Sequence, residues 1–317
     1  MVINDSDLDP ARIAAAATVI DPVFLHSPRS DDATLSRHLG RRILIKDETR
    51  NPLRFFKGRG ADFLASGIGP GHHLVCASSG NFGHTMAYAS RSHGHRCSVF
   101  LGKDSNPIAQ ERIRGLAAEV RLIEGDDAAV KQESQGYAAA APQRILVSDG
   151  QDAAIAEGAG TIGLELLAAG ALDAVIVPVG DVALISGVGC AIKRHAPATR
   201  VIGCAIKRHA PATRVIGVCP ASARSMAASW RRGVPTRAPA RTIANGLATV
   251  DPSRVRFVAC EPSSTRSCSS ASRGSSTGYA SRSTPSALCS NETTGDRNVC
   301  ISALHVDVAR RVHRGSE

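Results

Sequence analysis

From about residue 43 to 218 the chain alternates short β-branched runs with helix-like segments, and this alternation limits its fold more than any other feature. The strand candidates are ILIKDE at 43–48, LVCASS at 74–79, CSVFLG at 97–102, VRLIEG at 120–125, RILVSD at 144–149 and AVIVPVG at 174–180. Helix-like stretches separate them, among them FGHTMAYASRSH at 82–93, NPIAQERIRGLAA at 106–118 and DAAIAEGAGTIGLELLAAG at 152–170. Strands alternating with such helices build crossover units, and crossover units build parallel sheets. The pattern predicts an α/β, two-domain parallel-sheet fold with helices on both faces. In sheets of this kind ligands bind at the carboxyl ends of strands, where loops lead into helices.

A chain of 317 residues with 43% hydrophobic content can bury a sizeable core. Aromatic residues make up 3%, so that core is expected to be aliphatic. No uninterrupted apolar run is long enough to cross a bilayer. The opening MVINDSDLDPARIAAAATVIDP is acidic and lacks the basic-then-apolar order of a secretion signal, which predicts a soluble cytoplasmic protein without a membrane partner. The nine cysteines form no CxxC pair, so they read as free thiols of a reducing compartment, not as a disulfide framework or zinc site. The net charge of +10 comes from scattered arginines, not a stripe, so no nucleic-acid partner is expected.

Three motifs carry chemistry. In RFFKGRGADFLAS at 54–66, Lys57 stands between an aromatic pair and a Gly-Arg-Gly turn that opens a helix. An amine there, beside Arg59, is expected in a positive field that disfavours the ammonium form, as a Schiff-base lysine requires. In CASSGNFGHTMAYAS at 76–90 a strand ends in Ser-Ser-Gly-Asn and a helix begins. Backbone N–H groups at such a turn can hold a carboxylate, although an ordinary N-cap turn has the same look. In IVPVGDVALISGVG at 176–189 the same strand–turn–helix pattern recurs where a phosphate would sit.

The order and spacing of these motifs resemble the fold-type II pyridoxal-phosphate enzymes, specifically the threonine/serine dehydratase branch that includes serine racemases. AEGAGTIGLELL at 156–167 and ALDAVIVPVG at 171–180 are also similar to that family, and the resemblance covers roughly 15–248. It implies that Lys57 holds pyridoxal 5′-phosphate as a Schiff base and then acts as base at the substrate Cα. Phe56 would pack beside the cofactor ring and Asn81 would hydrogen-bond its 3′-oxygen. Ser78, Ser79, Gly80, Asn81 and Phe82 would form the substrate turn, which clasps the carboxylate. Gly180, Asp181, Val182, Ala183 and Leu184 would hold the phosphate. The implied reaction is β-elimination of a small hydroxy amino acid to a 2-oxo acid and ammonia. Ser79 stands where serine racemases carry a second acid/base serine, so a racemase or another β-eliminase is an alternative, and a catalytically defective relative is a further one. The family is commonly dimeric, which implies a homodimer. GVCPASARSMAASW at 217–230 lacks the carboxylates of an oxygen-ligated cation, so no metal is expected.

The sequence departs from that family in three places. Where relatives have a glycine run, this chain reads Gly180-Asp181-Val182-Ala183-Leu184. Valine resists both close backbone approach and positive φ, and Asp181 adds like charge near a dianion, so cofactor affinity is expected to be weakened. The segment GCAIKRHAPATRVI occurs twice without change, at 189–202 and 203–216. Two copies do not make a solenoid, so the repeat reads as an in-frame duplication in which one copy fills a helix-and-strand slot. The residues at 261–290 include 12 serines in 30 positions and have no regular periodicity. Such a stretch buries too little apolar surface to offset chain entropy. The expected organisation is a cofactor domain from 1–72 plus 151–260, a substrate-loop domain at 73–150, and an irregular Ser/Arg-rich tail at 261–317, where NVCISALHVDVARRVH at 298–313 could form an isolated helix or strand.

Overall fold

A computed structural model describes residues 8–78, 80–170, 172, 174–180, 182–195, 200–202, 218–232, 234–242, 247, 249–250, 268–270 and 298–303. Among them, all six strand candidates are strands: β2 (Arg42–Asp47), β3 (His73–Ala77), β4 (Arg96–Gly102), β5 (Glu119–Ile123), β6 (Arg144–Leu146) and β7 (Ala174–Ile176). Before them come α1 (Pro10–Val19), β1 (Arg29–Asp31) and α2 (Ala33–Leu39). Between and after them run α3 (Lys57–Ser66), α4 (Asn81–Ser92), α5 (Pro107–Arg114), α6 (Asp127–Ala139), α7 (Ala153–Leu167) and α8 (Ala183–His195). The chain continues with β8 (Arg200–Ile202), β9 (Val218–Pro220), α9 (Ser225–Arg232), β10 (Cys268–Ser270) and β11 (Asn298–Ala303). Several helix starts follow local chemistry. Asp9, Asn106 and Asp126 accept hydrogen bonds from the first-turn N–H groups of α1, α5 and α6, and Pro10 and Pro107 open their helices with φ already set.

The strands form two main sheets. The smaller is wholly parallel, in the order β5-β4-β3-β6. Its central strands β3 and β4 are buried on both sides because helices cover both faces. Leu74, Cys76, Val99 and Leu101 pack with Met86 of α4 and Ile113 of α5. Val75 and Phe100 pack with Val130 and Ala138 of α6. The chain runs outward from β3 to β4 and β5, then returns to place β6 on the other side of β3. That reversal opens a crevice at the carboxyl ends of β3 and β6, where ligands bind in open α/β sheets.

The larger sheet has the order β1-β2-β11-β7-β8, parallel except for β1. Its core joins Val175 and Val177 to Ile162 and Leu166 of α7 and Ile185, Val188 and Ile192 of α8. The expectation of an irregular tail needs a qualification. Residues 298–303 form β11 between β2 and β7, with Asn298 opposite Arg42 and Ile301 opposite Ile176. Residues 268–270 pair with β9 as a separate two-stranded ribbon. The alternating apolar residues of NVCISA suit a strand, and the slot between β2 and β7 supplies hydrogen-bond partners on both edges. The remaining tail residues lie outside the described ones.

The repeat finds its place in this sheet. The first copy supplies most of α8 and all of β8, and β8 pairs with β7 from Arg200 opposite Ala174 to Ile202 opposite Ile176. The second copy, 203–216, lies outside the described residues. Deleting 203–216 therefore removes no described strand or helix and shortens the connection from β8 to β9. The shorter closure is expected to stabilise the fold by on the order of 1 kcal/mol, raising the melting temperature by about 2–4 °C. An equal or lower melting temperature in a thermal scan would count against this account.

Helices α3, α7 and α8 approach one another through glycines. A Cβ on Gly60 would stand 2.3 Å from the carbonyl oxygen of Ile155, and one on Gly158 would stand 2.5 Å from that of Arg59. A Cβ on Gly187 would stand 1.9 Å from the carbonyl oxygen of Ala156. The glycines of AEGAGTIGLELL and ISGVG thus let three helix backbones touch, and that contact fixes the starts of α3 and α8 relative to one another.

Candidate active site

Lys57 is the first residue of α3, and Phe56 precedes it at the cap. Its Nζ lies 5.2 Å from the centre of the Phe56 ring and 5.9 Å from that of Phe82, the second residue of α4. The scarce aromatic residues are therefore not absent from the core: Phe56 and Phe82 are buried beside this amine, and Phe55 is buried in a separate cluster with Phe24 and Leu53. The same side chain forms an ion pair with Asp149, and each side chain is only 10% exposed.

Asp149 was not among the residues expected from sequence. It lies in the loop between β6 and α7, in a turn held by the Asp152 carboxylate, which accepts a hydrogen bond from the Ser148 N–H at 2.8 Å. Gly150, at φ 72°, supplies the left-handed residue of that turn. Just before it, the Val147 N–H donates to the Val75 carbonyl at 2.8 Å, which ties the loop to the crevice strand β3. Burial raises the Asp152 pKa above the ordinary aspartate value, and the neighbouring Asp149 charge adds to the rise.

The Arg59 expectation requires correction. Arg59 points away from an open site and is completely buried. Its guanidinium donates to Glu48 at 3.0 Å, to Glu165 at 2.5 and 3.1 Å and to Thr161 at 3.0 Å. Burial opposes its charge, but the carboxylates of Glu48 and Glu165 outweigh that and hold its pKa above the ordinary value. Lys46 joins the cluster through Glu165 at 2.5 Å. The arginine charge is thus compensated within the cluster, and what faces Lys57 is a carboxylate rather than an unopposed positive field. Its work is mechanical: it ties α3 to β2 and α7 close behind Lys57.

The substrate-turn residues lie at the crevice. Ser78 follows β3, and its Oγ accepts from the Gly80 N–H at 3.2 Å. Gly80 caps α4 with no side chain over the first turn, and a Cβ there would meet nothing within 4 Å. Asn81 begins α4 and is half-buried. The first-turn N–H groups of a helix have no partners within it, so this turn suits an anion. Ser79 lies outside the described residues.

The expected phosphate turn leads into α8. Gly180, Val182, Ala183 and Leu184 are buried, and Asp181 lies outside the described residues. Val182 and Leu184 share one packed cluster with Phe56, while Ala183 shares another with Phe82. The structure thus brings both ends of the expected site to the rings that flank Lys57. Val182 adopts φ 59°, the left-handed region that β-branched residues rarely enter. The backbone keeps the conformation a glycine would take, while the side chain resists it.

The structure thus gathers an amine at a helix start, two flanking rings and two strand–turn–helix mouths. Residues 31–271 match the family described as pyridoxal-phosphate dependent enzyme. The chain belongs to that family. It is 34% identical over 180 residues to a biosynthetic L-threonine dehydratase of Escherichia coli, covering 53% of this chain and 33% of that protein. It is 28% identical over 213 residues to serine racemase of Rattus norvegicus, covering 63% of this chain and 60% of the relative. Among solved structures, a threonine deaminase from T.th. superposes with a TM-score of 0.67 at 29% identity, covering 78% of this chain and 77% of that one. The chain spans about a third of the length of the threonine dehydratases it matches.

The residues fit the family's cofactor. Lys57 would supply the amine for the aldehyde, Asn81 at the start of α4 an amide, and the start of α8 N–H groups for the phosphate. Among the described residues, the Val182 side chain is a poor element. Val182→Gly is expected to tighten cofactor binding about tenfold, since it frees close backbone approach at the start of α8; the backbone strain it also relieves, on the order of 1–3 kcal/mol, is present with or without the cofactor and acts on stability. Loss of a buried valine offsets most of that strain relief in stability. Titration of the cofactor-free proteins with pyridoxal phosphate, followed by absorbance, checks this; unchanged or weaker binding would count against it.

Proposed function

We propose that this chain is a pyridoxal-phosphate-dependent ammonia-lyase that converts a small hydroxy amino acid to a 2-oxo acid and ammonia. The observation that carries the reading is the Lys57 amine at the start of α3, flanked by Phe56 and Phe82. The kinship with threonine dehydratases supports the reaction type. When bound, the cofactor supplies an electron sink for the pair left at Cα. Lys57 is assigned as the base that takes the Cα proton. The turn Ser78–Ser79–Gly80 and Phe82 binds the substrate carboxylate, and Asn81 donates to the cofactor's 3′-oxygen. Gly180 to Leu184 hold the phosphate. The crevice lies between what we assign as a discontinuous cofactor domain, 1–72 with 151–260, and a smaller domain, 73–150.

The test is to incubate the cofactor-loaded protein with L-threonine and L-serine, following 2-oxo acid and D-serine separately. Oxo acid is the expected product. D-serine alone would move the assignment to a racemase, and neither product would mark a catalytically defective relative.

A further inference from the structure

Lys57 meets a carboxylate that comes from a distant part of the chain. Nζ and the Asp149 carboxylate form an ion pair with both side chains largely closed off from water. Lys57 is fixed by α3, behind which Arg59 is locked in its buried cluster. Asp149 is fixed by the turn that follows β6. The pair thus spans from α3 to the loop of the smaller sheet. Among the described residues, Asp152 and the buried Cys76 thiol also feel the Asp149 charge; the Cys76 pKa is raised through its hydrogen bond to Cys97, burial and, in smaller part, Asp149.

We propose that Asp149 carries the proton that Lys57 gives up when it captures the cofactor's aldehyde. The inference rests on the assignment of Lys57 as the lysine that holds the cofactor. An ammonium has no lone pair, so the amine must first release a proton, and the bonded carboxylate accepts it. Nζ then bonds to the aldehyde carbon, and a second Nζ proton passes to the aldehyde oxygen. Asp149 returns its proton to that oxygen, the C–O bond breaks, and water leaves. A C=N bond has replaced the C=O bond, the nitrogen keeps one proton and one positive charge, and Asp149 is again a carboxylate. No oxidant or reductant takes part. A group placed to move a proton in this way accelerates such steps by about 10²–10⁴-fold.

The test follows loading rather than turnover. Cofactor-free protein is mixed with pyridoxal 5′-phosphate, samples are quenched with borohydride over time, and the modified peptide is mapped by mass. Asp149→Asn is expected to slow modification of Lys57 at least tenfold and to flatten its pH dependence. Asp149→Glu is expected to recover most of the rate. Asp149→Ala is a second variant should the asparagine form not fold, and added formate is expected to restore its loading. Loading of the Asn or Ala variant at the wild-type rate or faster would overturn the proposal, as would a Glu variant as slow as Asn. Modification of another lysine in the unaltered protein would instead overturn the assignment of Lys57.

Discussion

Lys57→Ala is expected to abolish turnover of L-threonine and L-serine, with a loss of at least about a thousandfold. Two functions go with the amine. The side chain is the covalent anchor for the cofactor and the only base assigned to the Cα proton, and loss of a positioned base alone costs about 10²–10⁴ in rate. The substitution also removes the ion pair that Asp149, 10% exposed, makes with Lys57. Loss of that ion pair at a largely buried carboxylate costs on the order of 1–3 kcal/mol, so the single variant is expected to melt earlier. The double variant Lys57→Ala with Asp149→Asn separates the two effects: its melting temperature should recover toward the parent while its activity stays lost. Oxo-acid and D-serine assays on both variants, beside thermal scans, check this. Turnover that survives Lys57→Ala would remove the central assignment.

The sheet was legible because strand periodicity is local. Each of the six runs from ILIKDE to AVIVPVG contains its own β-branched core residues, and each became a strand. The ring and turn residues of the site were legible because a lysine after two phenylalanines, and a strand ending in Ser-Ser-Gly-Asn, state their geometry within a few positions. Asp149 was not legible. It is 92 residues from Lys57, and nothing in SDGQD marks that aspartate as the one aimed at the amine. Arg59 was misread for the same reason. Its neighbour in sequence is Lys57, but its partners in space are Glu48 and Glu165, and the latter is 106 residues away. The repeat posed a different difficulty, since two identical segments carry no information about which of them enters the sheet. The order of the chain decides it: the first copy is continuous with the start of α8, so it completes that helix and then supplies β8.

Arg59→Ala is expected to lower stability by roughly 3–5 kcal/mol, a large share of the about 5–15 kcal/mol that holds a domain folded. The guanidinium is wholly enclosed and serves two carboxylates, Thr161 and the Ser27 hydroxyl at once. Removing it leaves Glu48 buried with a full charge and Glu165 with Lys46 as its remaining cation. If stranded charge is the cause, adding Glu48→Gln should recover part of the loss, because a neutral amide is far cheaper to bury than a carboxylate. If lost packing were the cause, the second change would recover nothing. The acid limb gives an independent reading. Burial pushes the Glu165 pKa up, but the hydrogen bonds and charges of Arg59 and Lys46 outweigh it and hold the value below 4.5 in the folded protein. A carboxyl depressed in the folded state adds stability that is fully present above its unfolded pKa and is lost as pH falls through the folded value. The parent protein should therefore lose stability below about pH 4.5, and Arg59→Ala should lose less over the same interval. Denaturant melts across pH 3–7 test both the size and the slope, and an Arg59→Ala protein with the parent's midpoint and acid slope would show that the cluster contributes nothing to the fold. Because α3 begins two residues before Arg59, the same substitution is also expected to loosen Lys57 against Phe56 and Asp149, so that cofactor loading slows even where the protein remains folded.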